Sequence, residues 1–165
     1  MMAAGGVWYW IQWLHYLALS LWVGGITFLA AVAAPAAHRS LISRAVAGEI
    51  VGHILKRLNL VELACAATLL GTTANAFWFV SADRYPRLWV LTAVISMMGL
   101  LTFYYRFFLT PRLESLKEKI PTLDTLSATH PSKFEFDRLH RIYVQLMSLN
   151  LILGLALLYG SVVVF

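Results

Sequence analysis

A few side chains in this chain could do chemistry because of where they sit. His15 interrupts a long apolar run, a few residues after Trp8, Trp10 and Trp13. As neutral imidazole it can ligate haem iron or another metal; the plainer alternative is a histidine hydrogen-bonded to a neighbouring carbonyl. Met97 and Met98 lie at a similar depth in another apolar run. A thioether ligates haem iron or Cu(I), and it also fills cores without any such role. His15, Met97 and Met98 are therefore the candidate cofactor-binding residues. Glu62 and Arg106 each lie about one helical turn inside an apolar run, counted from the same side. An unpaired charge at a bilayer centre costs about 3 kcal/mol on insertion scales, so the matched depths predict a structural ion pair. The functional alternative is a proton or anion site. His140 begins the last apolar run, at the opposite side from His15, so the two cannot share one metal; Asp137 and Arg141 fit a helical i,i+4 pair. His38, His53 and His130 fall in polar connections. No H-E-x-x-H, P-loop or G-x-S-x-G is present, and one cysteine, Cys65, allows neither an internal disulfide nor a two-cysteine metal motif. No catalytic residue is assigned, and a non-enzymatic protein is expected.

The elements that must hold these residues follow from composition. The 165 residues are 60% apolar and 13% charged, with a mean hydropathy of +0.72; about 25% charge is usual in soluble domains. That excludes a disordered chain, a disulfide scaffold and an ordinary cytosolic enzyme. Four apolar stretches, 7–34, 58–81, 88–109 and 142–165, each exceed the roughly 20 residues that cross a bilayer as a helix. Of the aspartates, glutamates, lysines and arginines, only Glu62 and Arg106 fall within them. The expected fold is an all-α integral membrane four-helix bundle in one domain. The first stretch lacks a basic leader and a small-residue cleavage site, so it reads as a span, closed by Pro35 and His38-Arg39, rather than a cleaved signal.

Basic residues set the expected orientation. Loop 35–57 carries Arg39, Arg44, Lys56 and Arg57, and loop 110–141 carries Arg112, Lys117, Lys119, Lys133, Arg138 and Arg141. The short second connection has Arg84 and Arg87 alone. The long loops are thus expected in the cytoplasm and both termini outside, in a bacterial inner (plasma) membrane. The net charge of +5 is then a topology signal rather than a nucleic-acid footprint. Tryptophan and tyrosine cluster toward span ends as interfacial belts. Residues 41–58 read as a short cytoplasmic amphipathic helix, with Ile42, Val46, Ile50, Ile54 and Leu58 in one apolar row; it would lie on the membrane or run into the second span. Thr110-Pro111 is expected to start a further short helix and Ser132-x-x-Glu135 to cap the fourth near Lys133. A linker is expected between Pro121 and Pro131.

In lipid, helices associate through small and polar residues. Candidate packing faces are Ala18, Trp22 and Gly24-Gly25; Ala64, Ala67, Thr68, Gly71, Ala74 and Asn75; Thr92, Ser96, Gly99, Phe103 and Arg106; and Asn150, Gly154 and Ser161.

Leu14-His15, Trp22, Gly24-Gly25, Phe28, Pro35 and Arg39, then Arg44-Ala-Val-Ala-Gly48, Arg57-Leu58 and Leu139-His140-Arg141-x-Tyr143 resemble, in order, the transmembrane protein 205-like family (domain of unknown function 4149). That resemblance implies a four-helix membrane protein with no agreed activity. The first helix is more distantly similar to the CopD copper-resistance family and to HemJ-type protoporphyrinogen oxidases. The latter similarity implies haem b on His15; the lysine expected in their third helix is missing, since none lies between Lys56 and Lys117. The readings are then a bundle that is free-standing or an accessory subunit of a larger membrane complex, pairing with lipid, such subunits or itself; a haem b redox protein; or a copper or small-solute transporter.

Overall fold

The structure, a computed structural model, describes residues 2–40, 44–119 and 130–164. Its elements are α1 (Met2–Phe28), a π-helical turn (Leu29–Ala33), α2 (Ala34–Ser40), α3 (Arg44–Ala76), a 3₁₀ turn (Ala82–Arg84), α4 (Tyr85–Tyr104), a second π-helical turn (Tyr105–Leu109), α5 (Thr110–Lys119) and α6 (Pro131–Val164). The π turns join α1 to α2 and α4 to α5, which leaves four long helical rods. Three stretches are long and apolar enough to cross a membrane: Gly6–Ser40, Ala82–Lys119 and Pro131–Val163. In α3 the apolar run is diluted by Asn59, Glu62, Thr72 and Thr73, and the bundle buries all four.

The prolines do not end their helices. Pro35 cannot donate and its ring crowds the carbonyl four residues back. The chain absorbs this by widening into a π turn just before it, where the Ala34 N–H reaches back to the Leu29 carbonyl. The same device precedes Pro111: the Thr110 N–H bonds the Tyr105 carbonyl, and the Thr110 hydroxyl donates to that carbonyl at 2.9 Å. Thr110 is therefore no N-cap, and α5 begins there as the continuation of the α4 rod through the π turn. Such turns bend a helix and re-aim its side chains.

Other boundaries also differ from expectation. α3 stops at Ala76 rather than near residue 81. Phe79 and Val80 N–H groups close onto the Ala76 carbonyl, and the Tyr85 hydroxyl holds the Phe77 carbonyl at 3.1 Å. α6 starts at Pro131, a first-turn proline. His130 caps it, its Nδ1 accepting from the Ser132 N–H at 3.3 Å. The expected amphipathic helix is not a separate element: from Arg44 it is continuous with α3, and residues 41–43 lie outside the described residues. Val46, Ile50 and Ile54 are exposed while Ala47 is buried, so these three members of the apolar row face out and the side of Ala47 faces the neighbouring helices. Up to residue 129, the linker expected after Pro121 also lies outside the described residues.

α1 and α4 each pack between α3 and α6. Leu19, Trp22 and Ile26 of α1, Cys65 and Leu69 of α3, Leu88, Ile95 and Met98 of α4, and Leu157 of α6 form the main core. Tyr105, Leu109 and Tyr143 form a second cluster toward the loop end, away from the termini. At the terminal end Trp10, Trp13, Trp78, Trp89 and Tyr159 are exposed, as an aromatic belt would be. The chain is thus an all-α helical bundle of membrane-protein character.

Candidate functional site

Two buried polar layers cross the apolar core. In the layer near the termini, His15 is fully buried. Its Nδ1 lies 2.9 Å from the Thr72 hydroxyl on α3, and its Nε2 lies 3.0 Å from the Ser161 hydroxyl on α6. The ring therefore ties three helices together, and the hydroxyls supply partners for either tautomer.

The deeper layer centres on Glu62, also fully buried. Its Oε2 accepts from the Thr102 hydroxyl at 3.1 Å and from the Tyr105 hydroxyl. Those two hydroxyls are 2.9 Å apart. The Asn150 amide of α6 donates to both, at 2.9 Å to Thr102 and 3.0 Å to Tyr105, with a longer 3.4 Å contact to the Met98 carbonyl. Glu62 Oε1 and Asn150 Oδ1 are buried without partners. One turn toward the loop end, Asn59 of α3 and Tyr143 of α6 are joined at 2.8 Å from the amide and 3.1 Å from the hydroxyl. The Tyr143 ring packs 5.0 Å from that of Tyr105. Local helix geometry builds this layer. Asn59 and Glu62 are three residues apart on α3, and Thr102 and Tyr105 three apart on the α4 rod, so each pair shares a face.

The expected ion pair is not formed. Among the described residues Glu62 pairs with hydroxyls, and the facing position on the α4 rod belongs to Tyr105. Arg106, one residue on, is rotated about 100° around the helix; it is only half-buried, with its guanidinium 5.9 Å from the Phe107 ring centre. Asp137 bonds Lys133 at 3.4 Å, four residues before it. The loop end instead carries an ion pair between Lys56 and Glu114, whose side chains are 35% and 41% exposed.

The haem reading does not fit the donor set. Axial ligation needs one imidazole nitrogen aimed at iron, whereas both nitrogens of His15 are engaged by hydroxyls on neighbouring helices. Neither methionine stands opposite. Met97 faces outward, 48% exposed. Met98 is buried at the level of Gly154 and Val23, where a β-carbon added to Gly154 would lie 3.4 Å from Met98 Cε and 2.8 Å from Val23 Cγ2. Val23 is about 12 Å along α1 from His15 at 1.5 Å per residue. Among the described residues no three His, Cys, Asp or Glu side chains are grouped to hold a metal.

Packing faces divide likewise. Asn150, Gly154 and Ser161 of α6 face the interior as expected. Ala64, Ala67, Gly71, Ala74 and Asn75 of α3 are exposed instead, on the side opposite Glu62, Leu69 and Thr73. Gly24 is exposed too, whereas Gly25 packs on Leu58, the nearest neighbour of an added β-carbon at 2.6 Å.

Sequence reasoning found Glu62 but missed its partners. Tyr105 and Tyr143 are among the tyrosines expected in an interfacial belt, and Asn150 is expected on a packing face. Their shared depth with Glu62 was the available signal.

No curated protein and no solved structure matches this chain. A family model described as a domain of unknown function, DUF4149, matches residues 17–121. The matched stretch takes in Glu62, Thr102 and Tyr105 with both π turns, and leaves out His15 and Asn150. By that match over most of its length the chain belongs to the DUF4149 family.

Proposed function

We propose that this protein is a non-enzymatic accessory subunit that crosses the membrane four times and docks on the helices of a larger membrane complex through the outer face of α3. The observation that carries this reading is the exposed row Ala64, Ala67, Gly71 and Ala74. Small residues let another helix approach closely where apolar side chains gain nothing over lipid. A β-carbon added to Gly71 would meet nothing within 4 Å, so none of the described residues packs against that position. α3 is the fourth span. Its polar side chains Asn59, Glu62, Thr72 and Thr73 are buried against α1, α4 and α6, which removes the cost of placing them in lipid. The distribution of lysine and arginine supports long loops in the cytoplasm and termini outside, in a bacterial inner membrane.

The test is purification at native expression in mild detergent, comparing the parent with Gly71→Leu. The reading expects larger partners to be retained by the parent and lost from the variant, with unchanged thermal unfolding of the isolated chain. Migration of both as the same lone monomer would refute docking and leave a free-standing bundle. Migration as a dimer that Gly71→Leu dissolves would make the partner a second copy.

A further inference from the structure

The deeper polar layer does more than hold helices in register. We propose that Glu62 is a reversible proton-binding site within the bundle, read by Tyr105, Thr102 and Asn150 and supplied from the loop end.

Hydrogen-bond counting carries the argument. With Glu62 ionised, the hydroxyl hydrogens of Thr102 and Tyr105 both point to Oε2, and the two amide hydrogens of Asn150 fill one acceptor position on each hydroxyl oxygen. Every donor is used, and the oxygens left over are Glu62 Oε1 and Asn150 Oδ1. When a proton joins Oε2, only the Tyr105 hydroxyl has to turn. The Glu62 hydroxyl donates to Tyr105, Tyr105 donates to Thr102 across their 2.9 Å contact, and Thr102 goes on donating to Oε2. One proton is gained, no covalent bond of the three partners changes, and both amide hydrogens of Asn150 keep their acceptors. Every donor of the four groups thus has an acceptor in both protonation states.

The surroundings suit a proton rather than a larger ion. A metal would need several acceptors open to it, whereas Asn150 donors already occupy both hydroxyls. Among the described residues Thr102 and Tyr105 of the α4 rod bond Glu62 directly, Asn150 of α6 bonds those two hydroxyls, and Tyr143 of α6 and Cys65 of its own helix lie within electrostatic reach. Trp22 of α1 lies at its level, between His15 opposite Thr72 and Gly25 opposite Leu58. No basic side chain pairs with Glu62 among the described residues. The route out is short: Asn59 and Tyr143 lie one turn away, and the partly exposed Lys56–Glu114 pair is about 9 Å along α3 at 1.5 Å per residue. Tyr105 continues the three-and-four spacing of the buried α4 positions Leu91, Ile95, Met98 and Thr102, which turns its side chain fully inward.

Infrared difference spectra of the whole chain in lipid, between alkaline and acidic buffers, test the proposal. A protonated-carboxyl C=O band should appear on acidification, disappear reversibly, and shift to lower frequency in heavy water. Glu62→Gln should lose that one band while the bands of exposed carboxylates remain. Tyr105→Phe keeps the carboxyl and removes one hydrogen-bond partner, so its band should remain and move to higher frequency; this variant decides the matter if Glu62→Gln fails to fold. An acid-induced spectrum identical in the parent and Glu62→Gln, a band unmoved by heavy water, or a band unmoved by Tyr105→Phe would each overturn the proposal. A band whose amplitude follows sodium at fixed pH would overturn it in favour of a metal cation.

Discussion

Asn150→Leu isolates what the deeper polar layer contributes to stability. Asn150 is fully buried and gives two good hydrogen bonds to other helices, at 2.9 and 3.0 Å to Thr102 and Tyr105. Interhelical hydrogen bonds in membranes average about 0.6 kcal/mol and reach about 1.7, so the pair should contribute about 1–3 kcal/mol. The lower half of that range is expected. Both hydroxyls still have Glu62 Oε2 as acceptor, so the substitution strands no donor and avoids the roughly 1–3 kcal/mol that a buried unsatisfied group costs. Asn75→Leu is the matched control. Asn75 is exposed, and among the described residues its amide bonds the Gly71 carbonyl of its own helix alone, at 2.8 Å. No bond to another helix is lost there, and a change within about 0.5 kcal/mol is expected. Equilibrium unfolding in mixed micelles, followed by circular dichroism, measures both. Should Asn75→Leu cost as much as Asn150→Leu, or Asn150→Leu fall within the same 0.5 kcal/mol, the layer would not be holding α4 and α6 together.

Four further outcomes are expected in the same assay. Gly154→Ala should destabilise by about 1–3 kcal/mol, because its β-carbon would lie 2.8 Å from Val23 Cγ2 at the close approach of α1 and α6. Gly24→Ala, with nothing within 4 Å of the added carbon, should be neutral or gain up to about 1 kcal/mol from helix propensity. In a double-mutant cycle between His15→Phe and Ser161→Ala the coupling should be about 0.6–1.7 kcal/mol, reporting the 3.0 Å bond; a zero coupling would mean that the bond does not form. The Lys56 and Glu114 cycle should give below about 1 kcal/mol and decline as salt rises, since the side chains are 35% and 41% exposed.

The helical class was legible because apolar length is a direct physical requirement of the bilayer. Positions of polar residues along the helices were legible too: His15 and Glu62 are buried, as their types in apolar runs imply. Rotation about each helix was not. Glu62 and Arg106 share a depth, yet the inward position belongs to Tyr105, and a depth count cannot separate adjacent residues that point 100° apart. The same blindness put the α3 small residues inside. Small side chains permit close packing on whichever side a partner arrives, so their presence marks a face without saying which partner it meets. The prolines misled for another reason. A proline ends a helix only if the preceding turn stays α-helical, and both rods widen into π turns instead.

Why the bundle spends buried polar groups at all follows from its solvent. Lipid offers no hydrophobic gain for bringing one apolar helix against another, so register needs directional contacts. His15 joins α1, α3 and α6, and the Glu62 layer joins α3, α4 and α6. α3 and α6 appear in both layers, separated by ten residues between Glu62 and Thr72 and by eleven between Asn150 and Ser161. At 1.5 Å per residue these spacings agree to about 2 Å, so both layers close together only in one register. A slip of one helical turn, about 5.4 Å, would break both at once and strand a carboxyl in the apolar core. The two layers therefore select one packing of four rods that apolar surfaces alone would leave free to slide.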